Sequence, residues 1–153
     1  MNKKFNILYT LLFVFAISCG FQPILKKDSI DFKINEINSS GDKRINYILI
    51  NNLKSLNKAN DYSKVYDLNI FSKKTREISS KDTKGNAKTF RLNLIIEIKV
   101  YINKEFKTTE IFNKSFNYNN IDSKFELSQY EEIVINNLLR NITQEFLIKL
   151  QTF

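Results

Sequence analysis

Phe90-Arg91-Leu92-Asn93-Leu94-Ile95-Ile96-Glu97-Ile98-Lys99-Val100-Tyr101-Ile102 is the stretch whose reading decides the fold. Every even-numbered residue in it is apolar, whereas Arg91, Asn93, Glu97 and Lys99 fall on the odd positions. Strict alternation over this length predicts a long strand with one face in a core and the other outside it. A sheet with one apolar face must be covered, so the flanking sequence should supply helices with apolar stripes.

Towards the C-terminus, Asn103-Lys104 is short enough for a tight reversal, and Asn tolerates positive φ. A fourth strand follows with Phe106, Phe112, Phe116 and Tyr118 on one parity. Glu110 and Lys114 interrupt it, which predicts a bulge or an edge. Two capping-box candidates come next, Ser123 with Glu126 and Ser128 with Glu131. Leu127, Tyr130, Val134, Ile135, Leu138, Leu139, Ile142, Phe146 and Leu150 then mark a long helix, at whose start the Glu131-Glu132 pair should favour the dipole.

Towards the N-terminus, Ser79 to Asn86, with Gly85, reads as a turn, and Tyr66, Leu68 and Ile70 begin a strand running on to Ile78. Asn57 to Ser63 is polar and loop-like. Ahead of it, Asp42 can cap a helix in which Ile45, Ile48, Leu49, Leu53 and Leu56 fall at three- and four-residue spacing. Ser39-Ser40-Gly41 reads as a turn, and Ile30, Phe32 and Ile34 alternate with polar residues as a half-buried strand does. The expected fold is a two-layer α+β sandwich in the order β-α-β-β-β-α. Two helices cover one face of a four-stranded mixed/antiparallel sheet, with the first two strands parallel through a crossover.

The first residues form a leader. Lys3 and Lys4 precede an apolar run from Phe5 to Ile17 that is too short to span a bilayer comfortably, and it ends at Ser18-Cys19-Gly20. Lipoprotein processing before Cys19 fits this pattern, although Ala16 stands where Leu is usual; an ordinary secretory signal is the alternative. The expected division is a signal peptide at 1–18, a lipidated tether at 19–27 and an α+β domain at 28–153, a size suited to one domain. Cys19 is the only cysteine in the chain. A thioether-linked diacylglycerol with an N-acyl chain would keep it from oxidation and anchor it durably, since one chain alone binds only marginally. Gly20 in place of Asp points to the outer membrane.

Hydrophobic residues make up 42% and aromatics 13% of the chain, as in a folded protein, and the formal net charge is +8. There is no His, so the commonest general base and the commonest metal ligand are both missing, and three glycines form no phosphate loop. These absences argue against an enzyme and predict no cofactor or metal beyond the acyl chains. An exported protein would rarely meet nucleic acid, so that partner is not expected either.

Cys19-Gly20-Phe21-Gln22-Pro23-Ile24 resembles the mature start of the LPS-assembly lipoproteins of the LptE family, which commonly open Cys-Gly-Phe before a short apolar tether. Gln22 stands where some branches carry His or Arg. The body is similar as well: Lys88-Thr89-Phe90-Arg91-Leu92 leads into the long alternating strand, and the closing helix resembles Glu131 to Phe153. The resemblance thus extends over nearly the whole chain. It implies a lipoprotein anchored at the periplasmic face of the outer membrane, seated as a plug in the LptD β-barrel, helping that barrel assemble and contacting lipopolysaccharide. The competing expectation is a free-standing periplasmic lipoprotein that binds a small ligand or peptide without a barrel.

Lys73, Lys74, Arg76, Lys81, Lys84, Lys88 and Arg91 gather around the hairpin between the second and third strands against only Glu77 and Asp82. Such a field suits phosphate or carboxylate groups, and a guanidinium can grip them in a bidentate way. Arg76 and Arg91, helped by Lys74 and Lys88, are therefore the candidate lipopolysaccharide contacts; the alternative is a solvated lysine-rich turn. Neutralising both arginines should weaken that binding and leave thermal stability nearly unchanged. Ile95, Tyr101 and Ile111 are apolar on the parity opposite the core, either to pack on a barrel wall or as scattered surface apolars.

Overall fold

Six elements make up the computed structural model, which describes residues 32–56 and 62–153. They are strand β1 (Phe32–Gly41), helix α1 (Lys43–Leu56), strands β2 (Lys64–Lys81), β3 (Ala87–Ile102) and β4 (Glu105–Asn119), and helix α2 (Lys124–Leu150). The expected leader, Cys19, the tether and Ile30 lie outside the described residues. The sheet order is β1-β2-β3-β4, with β1 parallel to β2 and the other neighbours antiparallel. This is the expected α+β fold in the expected order.

The alternation in β3 is realised residue by residue. Phe90, Leu92, Leu94, Ile96, Ile98 and Val100 are buried; Ile98 and Val100 pair with Ile70 and Leu68 of β2 on one side, and Phe90 and Ile96 with Tyr118 and Phe112 of β4 on the other. Ile45, Leu49 and Leu53 of α1 and Leu127, Val134, Ile135, Leu139, Ile142, Phe146 and Leu150 of α2 close over that face. The apolar surface they remove from water supplies the main driving force, at roughly 25 cal/mol per Å². The Phe112 and Phe146 rings meet edge to face at 6.3 Å.

The helix starts follow the capping chemistry. Asp42 accepts from the backbone N–H groups of Arg44 and Ile45, both at 3.0 Å. Of the two candidates for α2, the structure uses Ser123, whose side chain accepts from the Glu126 N–H at 3.3 Å. Among the described residues no helix is long and apolar enough to cross a membrane.

Four expectations need correction. Ser39-Ser40-Gly41 is the end of β1, not a turn, because Ser39, Ser40 and Gly41 pair with Ile70, Phe71 and Ser72; backbone pairing overrides their weak strand propensity. The hairpin between β2 and β3 is tighter than expected. Strand pairing continues to Lys81, and the Asp82 carboxylate ties the reversal by accepting from the N–H groups of Lys84 and Asn86 at 2.9 and 2.8 Å. In β4, two residues, Phe106 and Lys107, stand where β3 has only Tyr101, so Phe106 turns to the face opposite the core and stacks edge-on against Tyr101 at 5.9 Å. Glu110 and Lys114 meet the edge alternative of their expectation, since β4 ends the sheet; on its helix side they pair with Lys149 and Glu145 of α2, the latter at 2.6 Å. The fourth correction concerns Glu131 and Glu132, which sit beyond the first turn of α2 and are tied to Arg76 and Arg44.

Candidate functional site: the open sheet face and the basic hairpin

Both helices pack on one side of the sheet, so among the described residues the odd-numbered side chains of β3 and their neighbours form an uncovered face. Ile95 and Ile111 are 39% and 58% exposed on it, as their parity predicts. Phe71 (43%) and Phe106 (59%) join them. Register sets Phe71 and Ile111 on either side of Glu97, and Ile95 between Lys73 and Asn113. A shallow depression of about 470 Å³ lies there, bordered by Lys73, Thr75, Glu77, Asn93, Ile95 and Asn113. Sequence reasoning missed Phe71, although its place beside the core residue Ile70 on a strand already implied that it points outward.

The basic hairpin divides between the two faces. Arg91 lies on the open face, opposite Glu77 in register, and its Nε donates to Asn117 Oδ1 at 3.0 Å. Arg76 lies on the helix side, where it donates to Glu131 Oε1 at 2.7 Å and its guanidinium carbon stands 4.8 Å from the centre of the Phe90 ring. Lys74 is half-buried on that same side, and Lys88 is exposed near the hairpin. The two arginines are therefore back to back across the sheet and do not converge on one ligand.

Around Arg76 the structure assembles a small polar cluster. The Tyr118 hydroxyl donates to the same Glu131 oxygen at 2.5 Å. The carboxylate thus holds two donors, and its hydrogen bond keeps the Arg76 pKa above its ordinary value. Beside the cluster is a hollow of about 580 Å³, bordered by Arg76, Phe90, Ile121, Lys124, Leu127 and Glu131. Tyr118 and Glu131 were legible only as a core aromatic and a helix acid, because their meeting depends on how α2 crosses β4.

Two outcomes follow from this cluster. Glu131→Ala should lower stability by about 2 kcal/mol in a urea titration, because it leaves the Arg76 guanidinium and the Tyr118 hydroxyl without their shared acceptor. Neutralising Arg76 removes a half-exposed ion pair with Glu131, so its cost should be smaller than that of Glu131→Ala, about 1 kcal/mol or less. The second outcome concerns alkaline pH. Burial raises the Tyr118 pKa, and Glu131 adds to the shift; burial raises that of Tyr66 too. Above about pH 10 the unfolded chain ionises these phenols while the folded one holds them neutral, so the stability they contribute is present below pH 10 and falls as pH rises. Tyr118→Phe should flatten that decline in melting temperature; an unchanged slope would assign it to other groups.

The sequence matches no protein-family model, and no curated protein is detectably similar to it. Its fold, in contrast, recurs in solved structures. The rare lipoprotein B of Shewanella oneidensis superposes with a TM-score of 0.58 at 16% identity, covering 77% of this chain and 95% of that one. A lipoprotein B of Nitrosomonas europaea gives 0.56 at 11% identity over 86% and 92% of the two chains. A minor lipoprotein of Acinetobacter baumannii gives 0.54 at 9% identity, with 76% and 90% covered. The β-α-β-β-β-α sandwich of this chain is therefore the fold of rare lipoprotein B and related lipoproteins.

Proposed function

We propose that this chain is an exported lipoprotein of the LptE kind, acylated on Cys19, that seats in an outer-membrane β-barrel such as LptD and assists the passage of lipopolysaccharide to the cell surface. The observation that carries the reading is the uncovered sheet face. Phe71, Ile95, Phe106 and Ile111 stay exposed there although two helices fill the other side, and an apolar surface of this kind suits a protein wall. The Cys-Gly-Phe start and a fold shared with lipoproteins support the anchor. The absence of His from the sequence favours binding over catalysis. In this reading Arg91 is the hairpin cation best placed for a lipid phosphate, while Arg76 acts chiefly as a tie between the sheet and α2.

The test is affinity purification of the tagged chain from detergent-solubilised outer membrane. A large β-barrel should come down in near-equal amount. Recovery of the lipoprotein alone would instead favour a free-standing periplasmic binder of small ligands or peptides. Arg91→Gln should separately reduce lipopolysaccharide retention in a pull-down, and equal retention would remove that residue from the proposal.

A further inference from the structure

Strand β1 stops at Gly41, opposite Ser72, whereas β2 runs on to Lys81. The sheet therefore narrows from four strands to three. Since β2 begins at Lys64 opposite Phe32, α1 must travel back towards that end, away from the β2 extension. From Lys73 onward β2 is paired with β3 alone, and among the described residues no strand lies along its other edge. The Ser72 carbonyl faces that edge, where it accepts the Asp42 N–H at 3.0 Å. The N–H and C=O of one strand residue point the same way and the pattern repeats every second residue. Lys74, Arg76 and Ile78 consequently turn a donor and an acceptor each towards the vacant position.

Charged side chains often guard such an edge. Here the arginine does not overhang it, because it is folded onto Phe90 and held by Glu131. Among the described residues no carboxylate pairs with Lys73, Lys74 or Lys81, and Ile78 stands exposed further along. The edge thus combines unpaired backbone, uncompensated positive charge and one apolar side chain. It also continues a line already set by β1, whose end fixes where an added strand would begin.

We propose that Lys73–Lys81 of β2 is a docking edge that takes an extended acidic segment of a partner polypeptide as an added strand, in line with β1. Main-chain hydrogen bonds supply the pairing and the side chains supply the selection, as in other cases of strand addition. Carboxylates on alternate residues of the segment share one face and meet Lys73 on the open side of the sheet, while the apolar residues between them lie on the helix side and cover Ile78. The inference does not depend on the barrel reading, because it rests on the unpaired backbone of β2; the edge adjoins the open face at Lys73, the neighbour of Ile95.

The acylated full chain in detergent micelles can be tested with a labelled synthetic peptide of alternating Val and Glu, and with a matched peptide of alternating Val and Lys. The acidic peptide should bind, read by fluorescence anisotropy, and should slow hydrogen exchange at the amides of Lys74, Arg76 and Ile78. Lys74→Pro removes one edge N–H, a change that an edge strand tolerates when that N–H faces solvent. Lys74→Gln removes the same charge but keeps the donor. The proline variant should bind about tenfold more weakly than the glutamine variant. Equal binding by the two would leave only surface charge and overturn the added strand, and so would unchanged exchange at those three amides in the wild type. Equal binding of the basic peptide would overturn the acidic class. A wild-type dimer that Lys74→Pro converts to monomer would assign the edge to a second copy of this chain and likewise overturn the proposal.

Discussion

Gly41→Ala should destabilise the protein by on the order of 4 kcal/mol, read as a lower urea midpoint at unchanged slope. Gly41 has φ +92°, a conformation that L side chains rarely adopt. A Cβ built there would stand 2.0 Å from the Ser72 carbonyl oxygen, which is backbone and cannot swing aside. That same oxygen accepts the Asp42 N–H, while the Asp42 carbonyl receives the Ser72 hydroxyl at 3.2 Å. Displacing it would therefore disturb the end of β1 and the capped start of α1 together. Gly85 supplies the control. Its φ is +85°, but nothing lies within 4 Å of its added Cβ, so Gly85→Ala should cost only about 1 kcal/mol from conformation. Similar losses at the two positions would show that close approach to Ser72 is not what restricts position 41.

Cys19→Ser should have the largest effect on where the protein resides. Acyl attachment contributes about 0.8 kcal/mol per buried methylene, and a single chain holds a protein only reversibly, so the several chains of a mature lipoprotein set its retention. Serine offers no thioether. The variant should lack the acyl mass, differ in mature size and leave the outer-membrane fraction, while a sample of it that folds should keep the wild-type circular dichroism. A variant with the wild-type mature mass that still floats with envelope lipid would refute acylation at this position, and with it the placement proposed above.

The layers of this fold could be read because the physics behind them is local. The parity of β3 named every buried residue from Phe90 to Val100, and Asp42 and Ser123 announced the helix starts. What failed depended on distant partners. Ser39 and Ser40 are strand residues only because β2 pairs with them, and Phe106 changes face only because an extra residue is accommodated in β4. The basic cluster shows the same division. Its charge was evident in sequence, but period two alone already sent Arg76 and Arg91 to opposite sides of the sheet, and the hold of Glu131 on Arg76 emerged only once α2 was in place.

The Tyr66 hydroxyl donates to the Leu150 carbonyl at 3.1 Å, and Phe153 packs against the core. Tyr66 is paired with Ile34, two residues into β1, so the first strand begins and the last helix finishes at the same end of the sandwich. The reversal at Asp82–Asn86 closes the opposite end, beyond strands on the order of 50 Å long. A circular permutant with a flexible linker from Phe153 to Phe32 and new termini cut beside Gly85 should keep the same core. In such a molecule a reporter fused at the new termini would ride at the hairpin pole of the sandwich, whereas one fused after Phe153 in the natural chain order would sit beside Tyr66 and the start of β1.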